Sequence, residues 1–198
     1  MTAVAEVGSR RLRKEDRRLL TGRTRWTDNI RLPGMLHVAM VRSPFAHARI
    51  TALDASAARA ASGVVAVLTG ADVKDEQGSL PCAWPITPDQ KAPAHPAIAV
   101  DRVSFAGEIV ACVVARSAAA ARDAAELVDV DYEQLPAVLD LRAAAAGGPL
   151  AHPGELDSNV SAHWVFDSHD AGTGGDVEPE IAMAREGGIV IEREYRQQ

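Results

Sequence analysis

The chain has 198 residues, and 47% of them are hydrophobic, which is enough to build the core of one large domain or two small ones. Its 21 basic and 27 acidic residues give a net charge of −6, which argues against a surface made throughout for nucleic acid. No apolar run approaches the roughly 20 residues that cross a bilayer, so we do not expect a membrane span.

Cysteine usage favours a reducing compartment. Cys82 and Cys112 lie far apart without paired spacing, and no signal peptide precedes the polar start of the chain. We therefore expect a cytoplasmic protein. Because aromatic residues make up only 4% of the chain while alanine occurs throughout, we expect a core of Val, Ile, Leu and Ala, which suits helices packed closely on a sheet.

Residues 1–30 are predicted to form a basic arm. Positions 10–25 carry eight basic side chains against two acidic ones. Such a segment is either a charged, solvated face or a binding surface for a partner protein. Binding to nucleic acid is the least favoured of the three interpretations. Apart from Trp26, it lacks the aromatic side chains on which single-stranded nucleic acids stack.

The main folded unit is predicted over residues 31–146. Its first half alternates strand-like runs with turn residues. In chain order it is predicted to contain strands over 35–42 and 48–53, a helix capped by Asp54 and ended by Gly63, a strand over 64–68, a helical turn at 69–73, and a proline-rich surface excursion over 74–96.

Residues 97–133 give the strongest local signal, a β-β-α-β unit. A strand over 98–105 and a tight turn at Gly107-Glu108 lead into a continuous apolar strand over 109–115. Ser117 then caps an alanine-rich helix, and a strand follows over 128–132. The helix is predicted to bury one face, formed by Ala118, Ala121, Ala125 and Val128.

The last quarter of the chain is predicted to be a linker and the beginning of a further region. Residues 139–146 and 177–186 are expected to be helical, 151–175 to be polar and turn-rich, and 189–195 to be a strand. Because the sequence stops directly after that strand, we expect a truncated chain.

Candidate catalytic and ligand-binding residues are few and scattered. His37 and His47 flank a strand end without a partner at metal-ligand spacing, and His163 and His169 could share a metal only if the loop between them folded back. Two cysteines cannot supply the four thiolates of an iron–sulfur cluster. No catalytic, cofactor-binding or metal-binding residue is therefore predicted.

Two further patterns point to turns instead of sites. The Gly172-Thr173-Gly174-Gly175 run precedes a predicted helix, where backbone amides could hold an anion. It lacks the Gly-Lys-Ser/Thr ending of a phosphate loop and follows no clear strand, so a turn is the better interpretation. Ser43 and Ser104 lie in no Gly-x-Ser-x-Gly elbow, which leaves no serine hydrolase signal.

Several ordered motifs nevertheless resemble one known family. They occur at residues 13–22, 28–37, 41–50, 101–108, 124–128, 130–138 and 193–198, as Arg-Lys-Glu-Asp, Asp-Asn-Ile-Arg-Leu-Pro-Gly, Val-Arg-Ser-Pro-Phe-Ala-His-Ala-Arg-Ile, Asp-Arg-Val-Ser-Phe-Ala-Gly-Glu and the runs after them. Together they resemble the start of large subunits in the xanthine dehydrogenase and aldehyde oxidase family, which includes the large chain of carbon monoxide dehydrogenase. Ile109 departs from the proline usual in the family, and Trp26 from its usual tyrosine or phenylalanine.

The resemblance implies an a/b hammerhead domain, an α+β unit with a mixed sheet that packs beside molybdenum domains. It implies a cofactor, molybdenum-molybdopterin in its cytosine dinucleotide form, and partners, an FAD-binding medium subunit and a 2Fe-2S small subunit. The reaction implied is hydroxylation of an aldehyde, a heterocycle or carbon monoxide. In this family the cofactor loops lie far downstream of a motif like residues 193–198, so no catalytic role is carried over to any position here.

We therefore divide the chain into the basic arm (1–30), the hammerhead domain (31–146) and a linker with the start of the molybdopterin-binding region (147–198). The expected function is that of a non-catalytic scaffold segment of the enzyme subunit. The alternative is a stand-alone interaction module that docks through its basic arm on an acidic protein or on nucleic acid.

The arm is predicted to prefer a protein partner over nucleic acid. Its positive charge is local, and the acidic remainder of the chain repels a phosphate backbone. We expect generic duplex DNA to bind weakly in a fluorescence anisotropy titration. Tight binding that falls steeply as the salt concentration rises would contradict this.

Overall fold

The computed structural model of the chain describes residues 12–164 and 177–195, which contain six strands and six α-helices. The strands are β1 (His37–Arg42), β2 (Ala48–Asp54), β3 (Val64–Thr69), β4 (Arg102–Val103), β5 (Ile109–Ala115) and β6 (Asp129–Gln134). The helices are α1 (Asp16–Leu20), α2 (Ser56–Ala60), α3 (Gly70–Val73), α4 (Ala118–Ala125), α5 (Leu141–Ala145) and α6 (Val177–Gly187).

The strands form two three-stranded antiparallel sheets. The first sheet has the order β1-β5-β3, and the second has the order β4-β2-β6. The predicted α+β class and the strand, strand, helix, strand order of the central unit are confirmed. Its strands divide between two antiparallel sheets, however, and do not form one mixed sheet, because pairing is decided by contacts distant in sequence.

Strand β5 lies in the middle of the first sheet, and its inward side chains form the centre of the core. Ala111, Val113 and Ala115 have no exposed surface. Helices α2 and α4 cover this face of the sheet through Ala58 and Ala124, whose small side chains allow close packing. The predicted core of aliphatic residues and alanine is therefore confirmed.

Helix α4 begins where the sequence places its cap. The Ser117 side chain accepts a hydrogen bond from the Ala120 amide at 3.1 Å, which satisfies one of the free N–H groups of the first turn. The buried face is formed by Ala121 and Ala124. Ala118, which we expected on that face, is the first residue of the helix and is exposed.

The predicted strand over residues 98–105 was too long. Only β4 is a strand, because the segment divides its hydrogen bonds between the two sheets. The Ala99 amide donates to the Ile109 carbonyl of β5 at 2.8 Å, and the Ile50 amide of β2 donates to the Asp101 carbonyl at 2.8 Å. The segment therefore crosses from one sheet to the other and links them.

The predicted strand over residues 189–195 was wrong, since this segment contains no strand and pairs with none of the described strands. Its alternating apolar residues have no sheet face to cover: Ile189, Ile191 and Tyr195 are all exposed. The two helices predicted near it, at 139–146 and 177–186, are confirmed as α5 and α6. The excursion over 74–96 has no helix or strand after Lys74 except one isolated bridge between Ser79 and Pro96.

We predict that replacing Val113 by Asp destroys the fold. The substitution places an unpaired carboxylate at a fully buried position of β5, at a cost of about 4 kcal/mol, a large part of the stability of a small domain. Thermal unfolding followed by circular dichroism is the measurement. Val38→Asp, at an exposed position of the neighbouring strand, is the matched control and should melt close to the unmodified chain. If Val113→Asp also melts close to the unmodified chain, Val113 is not in the core.

Candidate functional site

Three of the four buried polar residues in the described part of the chain lie at the corner between β1 and β2 or in the turn beside it. They are Ser43, His47 and Glu108; the fourth, Thr69, is the last residue of β3. The Phe45 amide donates to the Ser43 hydroxyl oxygen at 3.0 Å, and this local bond shapes the turn after Arg42. The corner is part of the motif at residues 41–50 that carries the family resemblance.

A second motif, the turn at residues 105–108, is tied to this corner. The Gly107 amide donates to the Ser43 carbonyl at 2.8 Å, and the Ser43 amide donates to the Glu108 carbonyl at 2.9 Å. The Arg42 guanidinium adds a bond to the Gly107 carbonyl at 2.7 Å. Gly107 has φ +92°, a conformation that side chains disfavour, so glycine is required in the turn.

Glu108 is a buried carboxylate with a structural partner. Only 5% of the residue is exposed, and its side chain accepts a hydrogen bond from the Ser104 amide. A carboxylate that accepts a backbone N–H within its own turn stabilises that turn. The bond therefore holds the backbone between β4 and β5 in place.

A third motif, at residues 130–138, closes the corner from the other side. The Leu135 amide donates to the His47 carbonyl at 2.9 Å, and the His47 Nδ1–H donates to the Pro136 carbonyl at 2.7 Å. The rings of Phe45 and Tyr132 pack at 5.2 Å between centroids. Burial raises the pKa of the Tyr132 hydroxyl, and its hydrogen bond with Ser43 opposes that shift.

We call this set of residues the motif junction. Sequence reasoning did not find it as a unit, because its parts are separated by long stretches of chain. A usable signal was nevertheless present: each motif combines a turn residue, glycine or proline, with a polar side chain next to a strand. Its members are Arg42, Ser43, Phe45, His47, Ser104, Gly107, Glu108, Tyr132, Leu135 and Pro136.

His47 is held in the junction by both its backbone and its side chain. Because Nδ1 must carry the proton that Pro136 accepts, Nε2 is left as an acceptor. Within the described part of the chain Nε2 is buried and has no hydrogen-bond partner. The ring therefore packs between β2 and the segment after β6 and joins them through its hydrogen bond to Pro136.

Two clefts lie beside the junction. One, of about 390 Å³, is lined by Cys82, His95, Glu108 and His152. The other, of about 920 Å³, contains the guanidinium groups of Arg49 and Arg102. Both cations are paired with carboxylates, Arg49 with Glu133 at 3.4 Å and Arg102 with Glu155 at 2.7 Å.

The residues that the sequence offered for chemistry are not brought together. His37 is half-buried on β1, His163 is exposed, and Cys82 and Cys112 are free thiols in separate parts of the fold. Burial raises the pKa of the Cys112 thiol, which makes it less reactive. In residues 12–164 and 177–195 no three His, Cys, Asp or Glu side chains form a group that could hold a metal ion.

His169 and the Gly172-Thr173-Gly174-Gly175 run lie outside the described residues. The prediction that the chain contains no catalytic, cofactor-binding or metal-binding residue stays a prediction.

We predict that His47→Ala destabilises the chain by about 2 to 3 kcal/mol, because it leaves the Pro136 carbonyl without its donor and creates a cavity. His47→Asn retains an N–H group near the position of Nδ1 and should recover part of that loss. Urea unfolding of both variants is the measurement. Equal losses in the two variants would show that the hydrogen bond to Pro136 contributes nothing.

Comparison with known proteins identifies the fold. The family model described as aldehyde oxidase and xanthine dehydrogenase, a/b hammerhead domain, matches residues 21–136. The nicotine 6-hydroxylase large subunit of Paenarthrobacter nicotinovorans is 44% identical over 154 residues, which are 78% of this chain and 19% of that subunit. The carbon monoxide dehydrogenase large chain of Afipia carboxidovorans is 39% identical over 83% of this chain and 20% of its own length.

The described fold agrees with solved structures of such proteins. Quinoline 2-oxidoreductase from Pseudomonas putida 86 superposes with a TM-score of 0.68 at 46% identity, over 78% of this chain and 20% of that one. The chain spans about a fifth of the length of these relatives. It belongs to the aldehyde oxidase and xanthine dehydrogenase family and contains the a/b hammerhead domain of that family.

Proposed function

We propose that this chain is the hammerhead scaffold of the large subunit of a molybdenum-dependent hydroxylase and that it supplies folded surface, not reacting groups. The observation that carries the proposal is the motif junction. In the motifs that resemble the family, Ser43, His47 and Glu108 form hydrogen bonds that hold turns and strands together. These bonds support a structural role for the three residues.

Two observations on the described residues support placing the molybdenum cofactor elsewhere in the subunit. No group of metal ligands is found among them, and the two arginines of the larger cleft already face carboxylates. A pyrophosphate-bearing cofactor needs unpaired cations or free backbone N–H groups. We therefore assign the cofactor, in its cytosine dinucleotide form, to the remaining four-fifths of a full-length subunit and derive no step through it here.

Substrate and partners are proposed for the whole protein. Its relatives are named for nicotine, carbon monoxide and quinoline. We infer that the full-length subunit hydroxylates an aldehyde, a heterocycle or carbon monoxide, and that it assembles with an FAD-binding medium subunit and a 2Fe-2S small subunit. The domain division at residues 30 and 146 is proposed on the same basis, with the family match at 21–136 supporting its central part.

The proposed location is the cytoplasm. Both cysteines are free thiols, and a reducing compartment keeps them so. No helix in the described ranges has the length and apolar character that a membrane span needs.

We predict that the isolated chain binds no molybdenum and catalyses no oxidation. The chain is incubated with molybdenum-molybdopterin, passed through gel filtration, and tested by elemental analysis and by aldehyde-dependent dye reduction. We expect no stoichiometric metal and no turnover, because the reacting centre belongs to the cofactor and its pocket. Stoichiometric molybdenum with turnover that survives gel filtration would place the active site in this chain.

A chimera tests the scaffold function directly. The segment of the nicotine 6-hydroxylase large subunit that matches this chain, 154 residues at 44% identity, is replaced by the chain itself. We expect the chimera to elute as the parent subunit does and to retain its molybdenum. The parent lacking the segment altogether is the control, and a chimera that behaves like this deletion would refute the scaffold function.

A further inference from the structure

One face of the first sheet is apolar and is left uncovered by residues 12–164 and 177–195. Val38 and Met40 of β1 are 54% and 44% exposed, and Leu68 of β3 is 39% exposed. The strand register aligns them across β5: Met40 and Leu68 both pair with Cys112, and Val38 pairs with Val114. We call these residues, Val38, Met40, Leu68, Cys112 and Val114, the outer face.

Strand β5 has the composition of a strand that is covered on both sides. All seven of its residues are apolar, from Ile109 to Ala115. A strand with one wet face alternates apolar and polar residues, whereas a continuous apolar run is typical of a sheet packed on both faces. Helices α2 and α4 cover only the inward row, so the composition of β5 favours a second cover that the described residues do not supply.

The chemistry of the outer face limits what can cover it. None of its five residues carries a charge, so these side chains offer no cation to a phosphate backbone or an anionic lipid headgroup. A contiguous apolar patch on a folded protein is typical of an interface with another polypeptide surface.

The lengths of the relatives indicate which polypeptide this is. The chain corresponds to 19% of the nicotine hydroxylase subunit and 20% of the quinoline enzyme chain, so about four-fifths of each lies outside it. We propose that the outer face is the docking surface for the remaining part of a molybdenum hydroxylase large subunit. This inference rests on the proposed function and adds to it the surface through which the scaffold acts.

The test uses lysine substitutions on the outer face. Val38→Lys and Met40→Lys are made first in the 198-residue chain, where thermal melting should stay close to that of the unmodified chain because both side chains are half exposed. Leu80→Lys is the matched control, since Leu80 is 54% exposed on the excursion outside the sheet. If either lysine substitution lowers the melting temperature, the variants Met40→Gln and Leu68→Gln are used instead of Val38→Lys and Met40→Lys.

The same substitutions are then made in the nicotine hydroxylase chimera. We expect each outer-face substitution to reduce the recovered, molybdenum-containing subunit about tenfold or more, as loss of a central apolar contact does at an interface, while Leu80→Lys leaves it unchanged. Molybdenum content and gel-filtration elution are the readouts. Full recovery with both outer-face substitutions overturns the docking surface and leaves the scaffold function standing.

If the chimera without further substitutions elutes abnormally or lacks molybdenum, the proposed function itself is refuted, and not only the docking surface.

A further outcome concerns the isolated chain. If analytical ultracentrifugation shows a dimer that Val38→Lys and Met40→Lys dissociate and Leu80→Lys does not, the outer face binds a second copy of the chain and the proposal is wrong.

Discussion

The pairing of β5 with a strand on each side is the interaction on which the rest of the structure depends. Its backbone is hydrogen bonded to β1 along one edge and to β3 along the other. A strand in this position has its polar backbone groups satisfied, so it can be apolar throughout without leaving buried N–H or C=O groups unpaired. Helices α2 and α4 then pack on Ala111 and Val113, so β5 forms one side of the core.

Small residues set how closely the layers approach. Ala58, Ala121 and Ala124 allow the helices to lie close to the sheet. Gly70, at the end of β3, allows the backbone of Ala99 to lie close to it. A side-chain carbon on Gly70 would overlap the backbone of Ala99, so only glycine allows this crossing. The segment that passes there links the first sheet to the second through Ala99 and Asp101. The two sheets are thus joined by backbone contacts as well as by side chains.

Local features of the fold could be predicted from the sequence, and pairing could not. Helix α4 with its Ser117 cap and the apolar run of β5 depend on neighbouring residues, and both were found at their correct positions. The strand predicted at 98–105 was too long because its composition does not reveal that its hydrogen bonds go to two sheets. The strand predicted at 189–195 was wrong because alternation indicates a strand only where a sheet edge is available to pair with it.

The motif junction shows the same limit for functional residues. Ser43, His47 and Glu108 belong to quoted motifs, but their roles appear only when the corner, the turn at 105–108 and the segment after β6 meet. Resemblance to an enzyme family invites a catalytic interpretation of such polar residues. The geometry gives each of Ser43, His47 and Glu108 a partner in the backbone, which supports the proposed structural role.

The junction and the outer face are connected through β1. Arg42, the last residue of β1, is bonded to the Gly107 carbonyl in the junction, while Val38 and Met40 of the same strand form part of the outer face. Because β5 fixes β1 in register and the junction fixes its end, the outer face has a defined orientation relative to the second sheet. A polypeptide docked on that face is therefore held at a set angle to β2 and β6, and preorganised shape of this kind lowers the entropic cost of association.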